Sequence, residues 1–427
     1  MKILIVDVFG AVNSTGKITT LQYRYMKAQG HEVRVCYRGV REPRIDNPDY
    51  VPVAGTIEPG VGRLLSWVTG YEGFCHPLAT KRLIQYTQSF HPDIVQLNIL
   101  HGYFINSHAY IRFLNDHHYR VCYTMMDEYA YMGKCPYSFS CNQFLTGCTG
   151  GCPEQKHYPK SFFFDRSAVI WQAKERAYRG FEHIVFTGPG WVVDRARRSQ
   201  LLRGFDIREL DEPVDFGTTF HPRDVKALRT RLNIPATHKV IVTVAQMSNP
   251  RKGGIYFLQA AELLAHQEDL TFVFVGYDVK QPVTLPHVVT VPYVSSQEEL
   301  AQYYALGDLF VCTSLADTMP NVCIEALGCG TPLAGFAEAG TPYVAPSAYA
   351  TFTKTYDIPA LAQVDQRDVH RVSSGPDHPN LAVIRGQHMI CVAQQHHGNA
   401  ALLRHPFCNP CHRAGVCVNV DLHRISY

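Results

Sequence analysis

Two basic residues in the second half of the sequence could bind a phosphorylated ligand. Arg251 and Lys252 stand in the glycine-containing segment 249–254, which lies between an apolar, β-branched run and a helical pattern. A guanidinium offers a planar fork and an ammonium a point charge to a diphosphate. Glycines in a strand-to-helix turn also let backbone N–H groups approach phosphate oxygens. The alternative is a basic turn that only contacts solvent.

Two acidic residues, Asp317 and Glu325, follow further along the chain. Asp317 lies in a loop after a predicted strand, and Glu325 lies inside the predicted helix 321–327. Pro320 suits the first turn of that helix, where N–H groups lack intrahelical partners in any case. Carboxylates placed in this way can accept hydrogen bonds from hydroxyls of a sugar and a ribose. The alternative is a capping acid followed by an ordinary surface glutamate.

The elements that must position these residues alternate between strands and helices. In the first half, strands are predicted at 2–8, 31–37, 94–97, 121–124 and 184–187, with helices such as 19–29 and 165–179 between them. After a proline-containing linker, 210–222, the pattern restarts with strands at 240–245, 271–275 and 309–313, and helices at 255–266, 296–305 and 321–327. This alternation predicts crossover units and a parallel sheet in each half.

The predicted fold class is therefore α/β, with two Rossmann-like, doubly wound domains in series. We expect them to occupy 1–209 and 223–354, followed by an atypical segment, 355–427. Two such domains place a cleft between them, and open α/β sheets bind ligands at the carboxyl ends of their strands.

Composition excludes several other classes of protein. The chain has 427 residues, 46% hydrophobic and 18% charged, which is typical of a soluble globular protein. Its net charge of +3 is too small to predict nucleic-acid binding. Neither a secretory signal nor a membrane-spanning apolar run is recognisable in the sequence, so we expect a cytoplasmic protein.

Four of the fourteen cysteines cluster in a predicted insertion, 132–153. Cys135, Cys141, Cys148 and Cys152 could form a tetrahedral structural zinc site. Redox-active or disulfide-forming thiols and simple packing remain alternatives. The segment 355–427 contains no Lys and no Glu, and its sequence 408–412 carries a second metal-like pattern. We expect 362–427 to pack poorly.

The acidic pair and its surroundings resemble the retaining GT-B glycosyltransferases of the large sucrose-synthase-like family, family 4. Asp317 and Glu325 match its acid-x7-acid motif, and Arg251-Lys252-Gly253 resembles its basic element. The resemblance implies that Arg251 and Lys252 contact a donor diphosphate, Asp317 the donor sugar and Glu325 the ribose. It also implies a GT-B fold and no catalytic metal. The chain departs from the family pattern at two places. Its first acid, Asp317, is an aspartate and not a glutamate, and the segment 339–343 lacks one glycine and the closing glutamate of the family's Gly-Gly-x-Pro-Glu element.

The first half narrows the resemblance to colanic-acid and exopolysaccharide glycosyltransferases. The segment 13–18 resembles a loop of that subfamily, in which Gly16 and Lys17 would approach the donor phosphate or the acceptor. His101, within 100–106, stands where relatives carry a histidine assigned to sugar contact or acid–base work, although it could be a loop histidine without a catalytic part. Asp127 is retained, but Met126 replaces an expected histidine and cannot transfer protons.

These similarities imply transfer of a sugar from a UDP- or GDP-type donor to a growing, lipid-linked polysaccharide, with retention of configuration. The basic, amphipathic segment 191–203 would give peripheral contact with the cytoplasmic membrane face, unless it is simply a solvated arginine-rich helix. A GT-B-like epimerase or phosphorylase is a second interpretation, but no pyridoxal-binding motif supports it. A catalytically weak scaffold protein is the third, and Met126 and the altered loop 339–343 favour it.

Overall fold

The computed structural model describes residues 1–40, 42–210, 218–280, 282–345, 347 and 349–364. These residues divide into two compact units on either side of 211–217. The metal-like pattern at 408–412 and all of the predicted poorly packed segment after residue 364 lie outside the described residues.

The first unit is built on a seven-stranded, wholly parallel sheet. Its strands are β1 Lys2–Val6, β2 Glu32–Tyr37, β3 Tyr50–Pro52, β4 Ile94–Leu97, β5 Val121–Thr124, β6 Ile184–Gly188 and β7 Asp206–Glu209. The strand order is β3-β2-β1-β4-β5-β6-β7, so the winding direction reverses between β1 and β4. Residues of β4 and β5 are all buried, as expected for strands with helices on both faces.

Six α-helices of this unit lie within the described residues. They are α1 Asn13–Ala28, α2 Glu58–Thr69, α3 Pro77–Phe90, α4 Ser107–Asp116, α5 Ser167–Tyr178 and α6 Gly190–Arg198. α1 begins at Asn13, earlier than the predicted start at Thr19. The segment expected to be a loop, 13–18, is therefore the first turn and a half of the helix.

The second unit has a six-stranded parallel sheet. Its strands are β8 Lys239–Val244, β9 Leu270–Val275, β10 Val288–Val291, β11 Leu309–Cys312, β12 Leu333–Phe336 and β13 Ala350–Thr353. The helices are α7 Lys226–Arg231, α8 Gly254–Leu263, α9 Gln297–Leu306, α10 Asn321–Gly328 and α11 Ile358–Ala362. The order β10-β9-β8-β11-β12-β13 reverses direction between β8 and β11.

The predicted α/β class with two doubly wound parallel sheets is confirmed. Buried apolar runs account for the strands that the sequence pattern identified, such as β9, in which all six residues are buried. The pattern did not identify β3, β7, β10, β12 and β13, and all of these except β12 are edge strands of the two sheets. β12 is buried throughout, but it has only four residues, one of them a glycine. Edge strands are short and half-exposed, so their apolar signal is weak. Among the described helices, none is both long and apolar enough to cross a bilayer.

Candidate functional site

The basic turn of the second unit follows β8 and leads into α8. The Asn249 side chain accepts a hydrogen bond from the backbone N–H of Arg251 at 3.2 Å, which fixes the start of the short 3₁₀ turn Pro250–Lys252. Gly253 then adopts a left-handed conformation with φ +67°. A Cβ atom at Gly253 would lie 1.9 Å from the carbonyl oxygen of Thr313, so only glycine permits the two loops to meet.

Asp317 joins this turn to the loop after β11. Its carboxylate accepts hydrogen bonds from the Arg251 guanidinium and from Lys252 Nζ, which lies 2.9 Å from Oδ2. Ser314 Oγ donates to the same oxygen at 2.5 Å. Arg251 also donates from Nη1 to the carbonyl of Ala316 at 2.5 Å. The structure therefore brings together three of the predicted site residues in one ion-paired cluster.

The electrostatic state of Asp317 is set by these cations. Burial by itself would raise the pKa of its carboxyl group, but the charges of Lys252 and Arg251 and the Ser314 hydrogen bond lower that pKa to about 2. Asp317 is consequently ionised at neutral pH and offsets one of the two positive charges. The cluster keeps one net positive charge for an anionic ligand.

The altered loop 339–343 packs directly against Asp317. The N–H of Gly340 donates to the backbone oxygen of Asp317 at 2.8 Å, and a Cβ atom there would lie 1.7 Å from the oxygen of Thr318. Ala339 has φ +49°, a left-handed conformation that favours glycine. Ala339 therefore stands where the resembling family has a glycine, and its backbone still adopts the left-handed conformation that glycine favours.

Glu325 has a different partner from Asp317. It lies on α10, half-buried, and its Oε2 accepts a hydrogen bond from the hydroxyl of Tyr304 at 2.6 Å. Tyr304 is fully buried, and burial followed by the charge of Glu325 raises the pKa of its hydroxyl well above the usual value. The tyrosine therefore remains a proton donor that fixes the orientation of the glutamate.

In the first unit, Gly16 and Lys17 lie within α1 and not in a loop before it. A Cβ atom at Gly16 would lie 3.0 Å from the backbone carbon of Ala11, so the helix start and the preceding turn are tightly packed there. Lys17 is half-buried. The expected approach of a phosphate to both residues stays a prediction.

His101 lies in the loop after β4 and Asp127 in the loop after β5, and their side chains are in direct contact. His101 Nε2 lies 2.6 Å from Asp127 Oδ2, and the other ring nitrogen lies 3.0 Å from the hydroxyl of Tyr158. If the Nε2–H donates to the carboxylate, Nδ1 accepts from the tyrosine. Both ring nitrogens thus have protein partners, and the chain of hydrogen bonds runs from a buried carboxylate to a half-exposed tyrosine.

Sequence reasoning missed Tyr158 and Glu72, the other polar residues around His101. Glu72 is fully buried, and its Oε1 accepts from the N–H groups of Gly102 and Tyr103 at 3.2 and 3.4 Å. Burial raises the pKa of its carboxyl group, against the opposing effect of His101. Both missed residues lie in irregular segments, where no periodicity marks them; the only signal is the glycine on each side of Tyr71-Glu72.

A buried polar network lies where the strand order of the first unit reverses. Asp7 follows β1, and its Oδ2 accepts from Thr19 Oγ1 at 2.5 Å and from Asn98 Nδ2 at 3.4 Å. Asn98 also donates to Thr19 Oγ1 at 2.8 Å and to Gln22 Oε1 at 2.9 Å. Burial raises the pKa of Asp7 to about 7, although these hydrogen bonds oppose the rise.

The four clustered cysteines are free thiols, and two of them are paired. The side chains of Cys135 and Cys152 share a hydrogen bond, while Cys141 and Cys148 are buried in the same region. Within the described ranges, no three His, Cys, Asp or Glu side chains are arranged to hold a metal ion. Zinc binding by the four cysteines stays a prediction.

The arginines of α6 make contacts inside the unit. Arg195 Nε donates to the buried carboxylate of Glu128 at 2.8 Å, and its guanidinium lies 4.0 Å from the ring centre of Phe144. Arg197 donates to the carbonyl of Ile207 at 2.9 Å. The helix ends at Arg198, before the predicted end at Arg203. Arg195 and Arg197 therefore stabilise the fold, and the membrane role expected of this helix stays a prediction.

Part of the second unit matches the model of a described family. Residues 238–364 match the family model for "Glycosyl transferases group 1". WcaC of Escherichia coli (strain K12), whose name assigns it to colanic acid biosynthesis as a glycosyl transferase, is 23% identical over 254 residues. That alignment covers 58% of this chain and 60% of WcaC, so the chain spans less than two thirds of this relative.

Solved structures resemble nearly the whole chain. Sucrose-phosphate synthase from Thermosynechococcus elongatus superimposes with a TM-score of 0.60 at 16% identity, covering 90% of this chain and 96% of that one. HepE of Anabaena, in complex with UDP-glucose, gives a TM-score of 0.56 at 15% identity, with 91% and 95% covered. At such identities the likeness shows the fold alone, and that fold is GT-B.

Proposed function

We propose that this protein is a glycosyltransferase that moves a sugar from a nucleoside-diphosphate donor to an acceptor hydroxyl. The observation that carries the proposal is the cluster of Arg251, Lys252 and Asp317 where the sheet of the second unit reverses direction. Open α/β sheets bind ligands at such a point. The family match over 238–364 covers the same residues.

In this proposal the basic pair stabilises the leaving diphosphate. Charge builds up on the diphosphate as the bond to the sugar breaks, and fixed cations lower the energy of that state. Asp317 positions both cations in advance, since it binds each of them and is itself ionised. Free N–H groups at the start of α8, next to Gly253, add further donors for phosphate oxygens. Glu325, fixed by Tyr304, would accept from the ribose hydroxyls.

The finer assignments follow the family resemblance. The donor would be a UDP- or GDP-sugar, and HepE supports the UDP form, since its structure contains UDP-glucose. The acceptor would be a growing, lipid-linked polysaccharide, and the configuration of the sugar would be retained. WcaC, by its name a colanic acid glycosyl transferase, supports a polysaccharide product.

His101 would act on the acceptor side through its partners. Because Asp127 and Tyr158 occupy its two ring nitrogens, an incoming hydroxyl would approach His101 on the side of Tyr158, a residue that is half-exposed. Asp127 would hold the imidazole in the tautomer that accepts from the tyrosine. His101 and Asp127 then position Tyr158, and a direct proton transfer by His101 would require one of these hydrogen bonds to open.

Calorimetric titration tests the donor site. We expect the full chain to bind UDP or GDP, and the double variant Arg251→Ala/Lys252→Ala to bind at least about a hundredfold more weakly, because two charge-assisted contacts are lost. The matched control is Lys226→Ala/Arg231→Ala, which removes two exposed cations of the same unit on α7. Equal affinity of the site variant and the control for every nucleotide tested would refute the proposed donor site.

A second candidate, a donor-binding protein with little transferase activity, is favoured by one observation. Met126 is buried beside Asp127, where the resembling enzymes carry a histidine. Donor binding without donor hydrolysis or sugar transfer, measured across UDP-, GDP- and dTDP-sugars, would support this candidate. Turnover above the rate of the Arg251→Ala/Lys252→Ala variant would support the enzyme.

A further inference from the structure

Helix α2 packs on the first unit through its small residues. Pro59, Gly62 and Ser66 form its buried face. A Cβ atom at Gly62 would lie 2.1 Å from Cε1 of His76, and Ser66 Oγ donates to Glu72 Oε2 at 3.0 Å. The inward face is therefore made of residues that bring little apolar surface to the core.

The large apolar residues of α2 face solvent instead. They recur at positions separated by four, three, one and three residues, a spacing that puts them on one side of a helix. Their exposed fractions run from 40% to 75%, and the residues are Ile57, Val61, Leu64, Leu65 and Val68. A surface helix normally packs such a stripe against the core, whereas the large apolar residues of α2 face solvent. Contiguous exposed apolar surface of this kind marks an interaction site.

The segment Phe162–Phe164 extends this surface. The N–H of Phe162 donates to the carbonyl of Trp67 at 2.8 Å, and the two rings meet edge-on at 5.8 Å. The three consecutive phenylalanines are 50%, 69% and 50% exposed. We call the α2 stripe and Phe162–Phe164 together the docking face.

Cations surround the docking face. Lys160 Nζ lies 4.5 Å from the ring centre of Trp67, and the Arg63 guanidinium lies 5.1 Å from the same ring. Arg166 lies over Phe164 at 5.3 Å. Aromatic rings with long cationic side chains beside them are typical of the boundary between lipid tails and headgroups.

Acidic residues of the same segments are engaged inside the protein. Glu58 accepts from the N–H groups of Leu78 and Ala79, both at 2.9 Å. Asp165 accepts from Cys152 N–H at 2.8 Å and from Ser167 N–H at 2.9 Å. Glu72 is buried, as is Glu154, which is bonded to His157. The charges left at the edge of the docking face are therefore positive.

We propose that the docking face binds the surface of a lipid bilayer that carries anionic headgroups. Apolar side chains would enter the interface while Arg63, Lys160 and Arg166 contact phosphate groups. A second copy of the chain fits less well, because a twofold contact through this face would bring these cations close to their own copies.

The docking face is connected to the residues around His101. Trp67 Nε1 donates to the Tyr103 hydroxyl at 2.9 Å, and the Tyr103 ring lies 6.2 Å from that of Tyr158. A bilayer on this face would present a lipid-linked acceptor next to Tyr158. This last step rests on the proposed function, whereas the docking face itself does not.

Vesicle flotation of the full chain tests the proposal. We expect binding to phosphatidylcholine vesicles that contain phosphatidylglycerol, and about tenfold weaker binding to phosphatidylcholine alone. The variant Leu64→Glu/Phe163→Glu should reduce partition into the mixed vesicles by about tenfold or more, because it places two charges in the apolar region. The control Leu263→Glu/Tyr293→Glu changes two exposed apolar residues of the second unit and should bind as the unchanged protein does.

Each outcome of these experiments either supports or contradicts the proposed docking face. Absence of vesicle binding, or equal binding by Leu64→Glu/Phe163→Glu and its control, would overturn the docking face. So would light scattering that shows a dimer dispersed by Leu64→Glu/Phe163→Glu, since the occupant would then be a second copy. Nucleotide titration of the unchanged protein separates the two proposals: vesicle binding as expected, together with no nucleotide affinity, would overturn only the proposed function.

Discussion

Each unit has a buried aspartate beside the reversal of strand order in its sheet, and the two carboxyl groups have opposite properties. Asp7 lies after β1 and Asp317 follows β11; each lies beside the reversal of strand order in its sheet. Both are buried. The pKa of Asp7 is raised to about 7, and that of Asp317 is lowered to about 2.

The difference comes from the charge of the neighbours. Among the described residues, the hydrogen-bond partners of Asp7 are hydroxyl, amide and backbone N–H groups, which oppose the cost of burying a charge without overcoming it. Asp317 has a guanidinium and an ammonium group. One position is thus a hydrogen-bonded core whose carboxyl group keeps its proton below about pH 7, and the other is a charged cluster that we propose binds an anion. Burial of an acid at a sheet reversal therefore does not by itself identify a ligand site.

Removing the Asp317 carboxylate should have the largest effect. Asp317→Ala leaves two cations close together in a partly buried loop, and we expect the unfolding free energy to fall by about 3 kcal/mol. Urea unfolding of the full chain measures this loss. The control Glu262→Ala removes an exposed acid on α8 of the same unit and should change stability by less than about 0.5 kcal/mol. Equal losses in the two variants would show that the cluster contributes no particular stability.

The pH dependence of stability should separate the two aspartates. Since the pKa of Asp7 in the folded state lies above its ordinary value of 3.8, the stability from its bound proton is complete below that value and is lost as pH rises toward 7. Relative to Asp7→Asn, the unchanged protein should lose about 3 kcal/mol between pH 5 and pH 8. Asp317 has the opposite sign: its contribution is present above pH 3.8 and is lost as pH falls toward 2.

Thermal unfolding of the unchanged protein and Asp7→Asn across this pH range provides the measurement. Parallel stability curves for the two proteins would mean that Asp7 is ionised in the folded state throughout, and the contrast with Asp317 would disappear.

The smallest expected effect concerns the loop that packs on Asp317. Ala339→Gly should stabilise the protein by about 0.5 kcal/mol, because glycine adopts φ +49° without the steric cost that alanine bears there. The matched change Ala337→Gly, at a neighbouring position whose φ is not positive, should destabilise it. The difference in the midpoint of unfolding between each variant and the unchanged protein tests this prediction. A lower midpoint for Ala339→Gly would show that the loop is unstrained.

Much of the architecture could be predicted from the sequence because buried parallel strands are continuous apolar runs. β9 and β4 illustrate this, whereas the edge strand β3 has only three residues and little apolar signal. The start of α1 was misplaced because Gly16 suggests a loop, although the structure uses it for close packing inside the helix.

The residues of the candidate site could be predicted from the sequence, but the contacts between them could not. Arg251, Lys252 and Asp317 were recognisable from motifs, yet their ion pairing depends on β8 and β11 lying side by side. Tyr158 contacts His101, and Glu72 contacts the two residues that follow it, from irregular segments, and no short-range pattern in the sequence could place them there.

The ion pairs between Asp317 and its two cations have a further consequence for ligand binding. Because one of the two positive charges is already compensated, donor binding resembles ion exchange at a site with a single excess charge. Long-range attraction of a diphosphate is then weak, and its affinity should depend only modestly on ionic strength. Discrimination between nucleotides would arise at contact distance, where guanidinium and ammonium groups that are already held in place meet the phosphate oxygens.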